Sequence, residues 1–207
     1  MSGGAGEGLP WDPVVPAASF TALLRSRHLD PRWTLPADAA GLEAPEGTTI
    51  LAFRFAAGVL MAGDRRATAG NVIAHRSLQK VYPADGLSAV AISGTAGIAI
   101  ELIRLFQTEL EHYEKLEGSR LSLEGKANHL AAMVRAQLPM AFQGLVVVPL
   151  FCGFDEAAGI GRLYSYDVVG GRYEETDFAA TGSGGPYAKA HLRSAFREGL
   201  GEDEALD

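Results

Sequence analysis

Residues 47–64 read Gly-Thr-Thr-Ile-Leu-Ala-Phe-Arg-Phe-Ala-Ala-Gly-Val-Leu-Met-Ala-Gly-Asp. The run TTILAFRF, the turn Ala56-Ala57-Gly58 and the run VLMAGD predict an antiparallel hairpin, because two β-rich segments are separated by a short glycine-containing turn. A third apolar run, Leu87 to Gly94, follows Pro83-Ala84-Asp85-Gly86, which reads as a turn, and leads directly into a helical pattern. That helix is expected from near Thr95 to about Leu116, with Ile98, Leu102, Leu105, Phe106 and Leu110 on one stripe. Gly118 stops it. A second helix is expected from Ser122, a good N-cap, through Leu130, Met133, Val134 and Leu138 to Pro139.

Working outward, three more strands are expected at Leu145–Phe154, Arg162–Val168 and Tyr173–Ala180, then a helix from Pro186 to about Glu198. Strands, two helices, strands and a helix make an α+β order of antiparallel sheets covered by helices, without a βαβ rhythm. Upstream, residues 1–47 hold both tryptophans, Trp11 and Trp33, among Pro, Gly and Ala residues, with one short helix candidate at Ser19 to Arg27. This stretch reads as an appendage to the domain that starts at Thr48.

The 207 residues carry 18 basic and 25 acidic side chains, a net charge of −7, so attraction to nucleic acid or an anionic membrane surface is not expected. The longest apolar run, Leu145 to Cys152, contains Pro149 and is too short to span a bilayer. The N-terminus has neither the basic start nor the apolar stretch of a signal peptide. A single cysteine, Cys152, forms no internal disulfide and favours a reducing compartment.

Among the chemical groups, His28, His75, His112, His129 and His191 are scattered without metal-ligand spacing, and the familiar hydrolase and phosphate-binding signatures are absent. The Gly47-Thr48 junction is different. A cut there turns Thr48 into a chain terminus whose α-amine, of pKa about 7.7–8.0, can take the proton of its own hydroxyl. Asp64, after the second strand, and Lys80 have the chemistry to form a pair that keeps an ammonium beside Thr48.

GTTILAF, GVLMAGDRRATAGN, Lys80-Val81-Tyr82, Ile92-Ser93-Gly94-Thr95-Ala96, Thr181-Gly182-Ser183-Gly184 and the run Leu110 to Gly118 together resemble the proteasome β subunit of the bacterial, actinobacterial type. The resemblance runs from 48 to about 198. It implies the N-terminal-nucleophile hydrolase fold, an antiparallel β-sandwich flanked by helical layers, with residues 1–47 as a propeptide. It implies a threonine endopeptidase made as a proenzyme and cut between Gly47 and Thr48. Thr48 would be the nucleophile and Asp64 and Lys80 its supporting pair. The Gly94 N–H would bind the oxyanion, a role worth roughly 2.7–4 kcal/mol, and Ser183 would bond near the Thr48 amine.

By the same resemblance Arg66, Ala67 and Thr68 form the edge that takes an extended peptide as an added strand. Ala67, Leu78, Ile92, Ala96 and Ile100 line the specificity pocket, apolar here, which implies hydrophobic or bulky uncharged residues before the cut. The implied partners are other β subunits in a heptameric ring, proteasome α subunits, and a ring-shaped ATPase acting through the α ring. Protein or peptide substrates, tagged by a small ubiquitin-like protein, would be degraded in the cytoplasm without a cofactor. The family continues past the last helix with an Asp, a nearby Ser and closing strands, so the peptidase domain, 48–207, is expected to be C-terminally incomplete relative to it. The alternatives are a non-catalytic or defective ring subunit, or the simpler two-ring bacterial threonine protease.

Overall fold

A computed structural model describes residues 47–69 and 72–206, with the backbone alone for 67–69 and 72–75. The expected appendage helix, both tryptophans and His28 lie outside the described residues. Strands β1 (Ile50–Phe55) and β2 (Gly58–Gly63) form the expected hairpin, with Ile50 opposite Gly63 and Phe55 opposite Gly58. β10 (Phe178–Thr181) pairs with the other edge of β1, Ile50 facing Thr181, to give a three-stranded sheet in the order β10-β1-β2.

The second sheet has five antiparallel strands in sequence order: β5 (Val81–Asp85), β6 (Ser88–Gly94), β7 (Val147–Asp155), β8 (Ile160–Tyr166) and β9 (Arg172–Glu175). Between the sheets lie Ile50, Ala52, Ala91, Leu150, Cys152, Leu163 and Ala179, all buried. The other face of the larger sheet packs Val90, Ile92, Val147, Phe151 and Tyr164 under α1 (Ala96–Glu117) and α2 (Leu123–Ala136). There Phe151 meets Phe106 edge-on at 5.9 Å and stacks on Tyr164 at 6.2 Å, geometries that suit the ring quadrupole. Strands alternate their side chains between faces, so one five-stranded sheet supplies both layers.

Several boundaries differ from the sequence reading. Pro83 to Asp85 belong to β5, not to a turn; the turn is one step later, at Gly86-Leu87. Proline is tolerated there because β5 is an edge strand. The run Tyr173–Ala180 is two strands in different sheets, broken at Thr176-Asp177. The Asp177 carboxylate accepts from the Phe178 amide at 2.7 Å and its carbonyl from the Arg54 amide at 2.9 Å, which turns the chain from one sheet to the other. On α1 the buried stripe is Ala99, Leu102, Ile103, Phe106 and Leu110, and Leu105 is half exposed. Helix α2 ends at Ala136, and Pro139 starts a separate turn, α3 (Leu138–Ala141), as suits a residue without an N–H to give. The last long helix, α4 (Gly185–Ala195), stops before an extended Phe196, and a short α5 (Glu202–Leu206) follows. A short hairpin, β3 (Ala67–Ala69) and β4 (Val72–His75), was not foreseen.

Candidate functional site

Gly47, Thr48 and Thr49 lead into β1, and the segment after β2 folds back on them. The Asp64 amide donates to the Thr49 carbonyl at 2.9 Å, and the Thr49 amide donates to Asp64 Oδ1 at 2.6 Å. Asp64 Oδ2 accepts from the Arg66 amide at 2.9 Å. Lys80, just before β5, is 5 % exposed. Its three donors have three acceptors: Gly47 O at 2.7 Å, Asp64 Oδ1 at 2.7 Å and Arg66 O at 2.6 Å. An ammonium so far from water needs such a set. Burial pushes the Asp64 carboxyl upward, but bonds from Lys80, Thr49 and Arg66 and the charge on Lys80 outweigh it, leaving Asp64 below the usual aspartate range.

Two glycine turns from opposite sheets close the other side. Gly94 ends β6 with φ +115°, and a Cβ there would lie 2.0 Å from the Val146 carbonyl oxygen. Gly182, just after β10, has φ +87°, and its Cβ would meet the Thr48 carbonyl oxygen at 2.0 Å. Only glycine serves at either place. Ser183 Oγ donates to that Thr48 oxygen at 3.4 Å, a long bond.

Thr48, Leu78, Lys80, Tyr82, Ile92, Gly94, Ala96 and Ile100 border one narrow cavity of about 20 Å³, room for about one water. Four of the five residues assigned to the specificity pocket thus surround the space beside Thr48. The fifth, Ala67, and Thr68 lie in β3, where the backbone pairs with β4 and the side chains are outside the described residues. A much larger depression of about 510 Å³ lies over α1 and β5, lined by Gln107, Leu110 and Lys126, away from this chemistry. Size here does not mark the site.

Cys152 is no rival nucleophile, since burial between the sheets pushes its thiol up to about 12. His129 pairs with Glu109 and stacks on Phe106, a packing role between helices. Sequence reasoning missed Thr49, whose amide orients Asp64, and the hydroxyls of Ser93 and Thr181. Ser93 Oγ donates to Val148 O at 3.0 Å and lies 3.1 Å from Thr181 Oγ1. A signal was present, since Ser93-Gly94-Thr95 and Thr181-Gly182-Ser183 repeat one hydroxyl-glycine-hydroxyl pattern.

Residues 44–207 match the proteasome subunit family. The chain belongs to that family. As in other proteasome subunits, its architecture is the α+β antiparallel sandwich with flanking helices. It is 57 % identical over 173 residues to the proteasome subunit beta of Streptomyces griseus, a match covering 84 % of this chain and 62 % of that protein. With the proteasome subunit beta of Acidothermus cellulolyticus it shares 55 % identity over 197 residues, 93 % of this chain and 68 % of the relative. With that of Acidimicrobium ferrooxidans it shares 54 % over 194 residues, 92 % and 70 % respectively. The match to the Streptomyces protein therefore spans less than two thirds of that relative. No helix among the described residues is long and apolar enough to cross a membrane.

Proposed function

We propose that this chain is the precursor of a threonine endopeptidase, a proteasome β subunit whose residues 1–47 are a propeptide removed by cleavage between Gly47 and Thr48. The observation that carries this reading is Lys80, which donates at 2.7 Å to the Gly47 carbonyl, whose bond to the Thr48 nitrogen is the one that such a cut would break. An ammonium there withdraws electron density from the carbonyl carbon and favours attack on it. Asp64, held as a carboxylate, fixes the ammonium in place.

Cleavage replaces the Thr48 amide by an amine and removes one acceptor of Lys80. The amine takes the hydroxyl proton, Oγ attacks a substrate carbonyl, and the amine returns the proton to the leaving nitrogen; water then hydrolyses the ester. The Gly94 N–H binds the oxyanion, and Ser183 bonds near the freed amine. Arg66, Ala67 and Thr68 hold an extended peptide by its main chain. Leu78, Ile92, Ala96 and Ile100 give the cavity an apolar wall that selects hydrophobic residues before the cut once it widens beyond the room for about one water it has in the uncut chain. The relatives' name, proteasome subunit beta, supports assembly with other proteasome subunits; β and α partners in stacked rings, an ATPase that feeds them and a cytoplasmic location complete the reading we propose.

Mass spectrometry of assembled protein should find Thr48 at the terminus. A threonine-directed electrophile should label that protein, whereas Thr48→Ala should keep its leader, take no label and lose peptidase activity by about 10³-fold or more. An intact leader in active material, or equal labelling of Thr48→Ala, overturns the reading.

A further inference from the structure

Ser93 and Thr181 sit one residue before the two glycine turns that face Thr48, and they belong to different sheets. Ser93 is 4 % exposed and is the next-to-last residue of β6, opposite Val148 of β7. Thr181 ends β10 opposite Ile50. The single Ser93 proton goes to Val148 O at 3.0 Å. A hydroxyl has one proton to give, so in the 3.1 Å contact between them Thr181 is the donor and Ser93 Oγ the acceptor. The result is a directed chain from β10 through β6 to β7, crossing from one sheet to the other.

Most of the inter-sheet contact is apolar, made by Ile50, Ala52, Ala91, Leu150, Cys152, Leu163 and Ala179. Such packing is non-directional and tolerates small slides of one sheet over the other. A hydrogen bond does not, because it weakens steeply with distance and angle. The residues it precedes have no side chain to hold them: Gly94 and Gly182 both have positive φ and each lies against backbone that a Cβ would strike. Their place relative to one another is therefore set by the residues that lead into them.

We propose that Ser93 and Thr181 are positioning residues, whose inter-sheet hydrogen bond fixes the Gly94 turn against the Gly182-Ser183 turn and so aligns the Gly94 N–H with Thr48, a role that rests on the threonine-peptidase reading. The oxyanion exists only in the transition state, so misalignment lowers kcat and leaves ground-state binding in place. On the same reading, substrate is held by the backbone of the 66–68 edge, an interaction separate from the oxyanion contact.

The test uses full-length chain, assembled and processed, with a fluorogenic peptide amide ending in leucine. Thr181→Val keeps shape and removes the donor; Thr181→Ser restores it. We expect kcat to fall 10- to 100-fold in Thr181→Val, since small misplacements cost on that scale, with KM within twofold, and kcat to return to within threefold in Thr181→Ser. Ser93→Ala should fall similarly, and the double variant Ser93→Ala/Thr181→Val no further than the worse single one. A kcat within twofold of native in Thr181→Val, a change confined to KM, or no recovery in Thr181→Ser overturns the proposal. So does failure of both Thr181→Val and Ser93→Ala to give folded protein by circular dichroism, which would make the bond purely structural. In all of these the native chain still hydrolyses peptide through Thr48. If native protein shows no Thr48-dependent hydrolysis, the underlying reading falls and this one with it.

Discussion

Lys80 has three acceptors arranged around one nitrogen, and that geometry makes it less replaceable than its charge suggests. A guanidinium is planar and spreads its donors over a fork, so it cannot direct three N–H bonds from a single point toward Gly47 O, Asp64 Oδ1 and Arg66 O. Lys80→Arg, which preserves charge, should therefore abolish the Thr48 terminus about as fully as Lys80→Met, measured by mass spectrometry of the assembled chain after equal expression. Processing at the native level in Lys80→Arg would mean that charge alone suffices. The pairing also has a pH consequence. Asp64 in the folded chain sits below the usual aspartate value of about 3.9, so its contribution is fully present above that value and is lost as pH falls through the lower, folded one. The Asp64–Lys80 contact should thus persist through the whole neutral and mildly acidic range.

At the scale of elements, α2 carries a charge on its buried face. Lys126 is 4 % exposed and pairs with Asp85 at the end of β5, tying the helix to the sheet's edge. Asp85 also accepts from Ser88 Oγ at 2.6 Å and the Leu87 amide at 3.0 Å. Burial raises the Asp85 carboxyl, but these bonds and Lys126 outweigh it and hold it below the ordinary value. Asp85→Asn leaves Lys126 buried without a counter-charge and should cost about 3–5 kcal/mol in urea unfolding at pH 7. Its folded-state pKa is depressed, so the native chain keeps this term above about pH 3.9 and loses it below. The variant should accordingly show a flatter stability profile between pH 5 and pH 3, and an equally steep one would refute the pairing. Periodicity made α1 and α2 legible in the sequence, the hairpin β1–β2 was marked by its glycine turn, and β6 and β7, buried on both faces, by continuous apolar runs. Lys126 was illegible, because a lysine on an apolar stripe has meaning only once its partner, far along the chain, is in place. Likewise Tyr173–Ala180 holds no Gly or Pro to mark a break, and the change of sheet at Asp177 depends on Arg54 from β1. Thr48, Asp64 and Lys80 were readable as chemistry, whereas Ser93 and Thr181 needed the two sheets to be brought face to face.

For the molecule as a whole, the separation of the sheets sets how the Gly94 and Gly182 turns, one from each sheet, meet beside Thr48, and it is limited by backbone at one point. A Cβ on Gly161 in β8 would lie 2.3 Å from the Gly58 carbonyl carbon and 2.4 Å from its oxygen, in β2 of the other sheet. Neither atom belongs to a flexible side chain, so Gly161→Ala can be accommodated only by moving one sheet from the other. Overpacking of this kind costs about 1–3 kcal/mol, which in a domain of this size lowers Tm by about 2–12 °C. Gly97→Ala provides the contrast, because nothing lies within 4 Å of its Cβ and it occupies the first turn of α1. There the loss of unfolded-state freedom should stabilise by about 0.4–1 kcal/mol. Calorimetry at one fixed protein concentration, since assembly shifts Tm, should give opposite signs for the two glycines. If wider sheets also spread the turns around Thr48, Gly161→Ala should process more slowly than native at temperatures well below its own Tm, while Gly97→Ala processes at the native rate. Equal rates in all three would show that the site tolerates a change in sheet spacing.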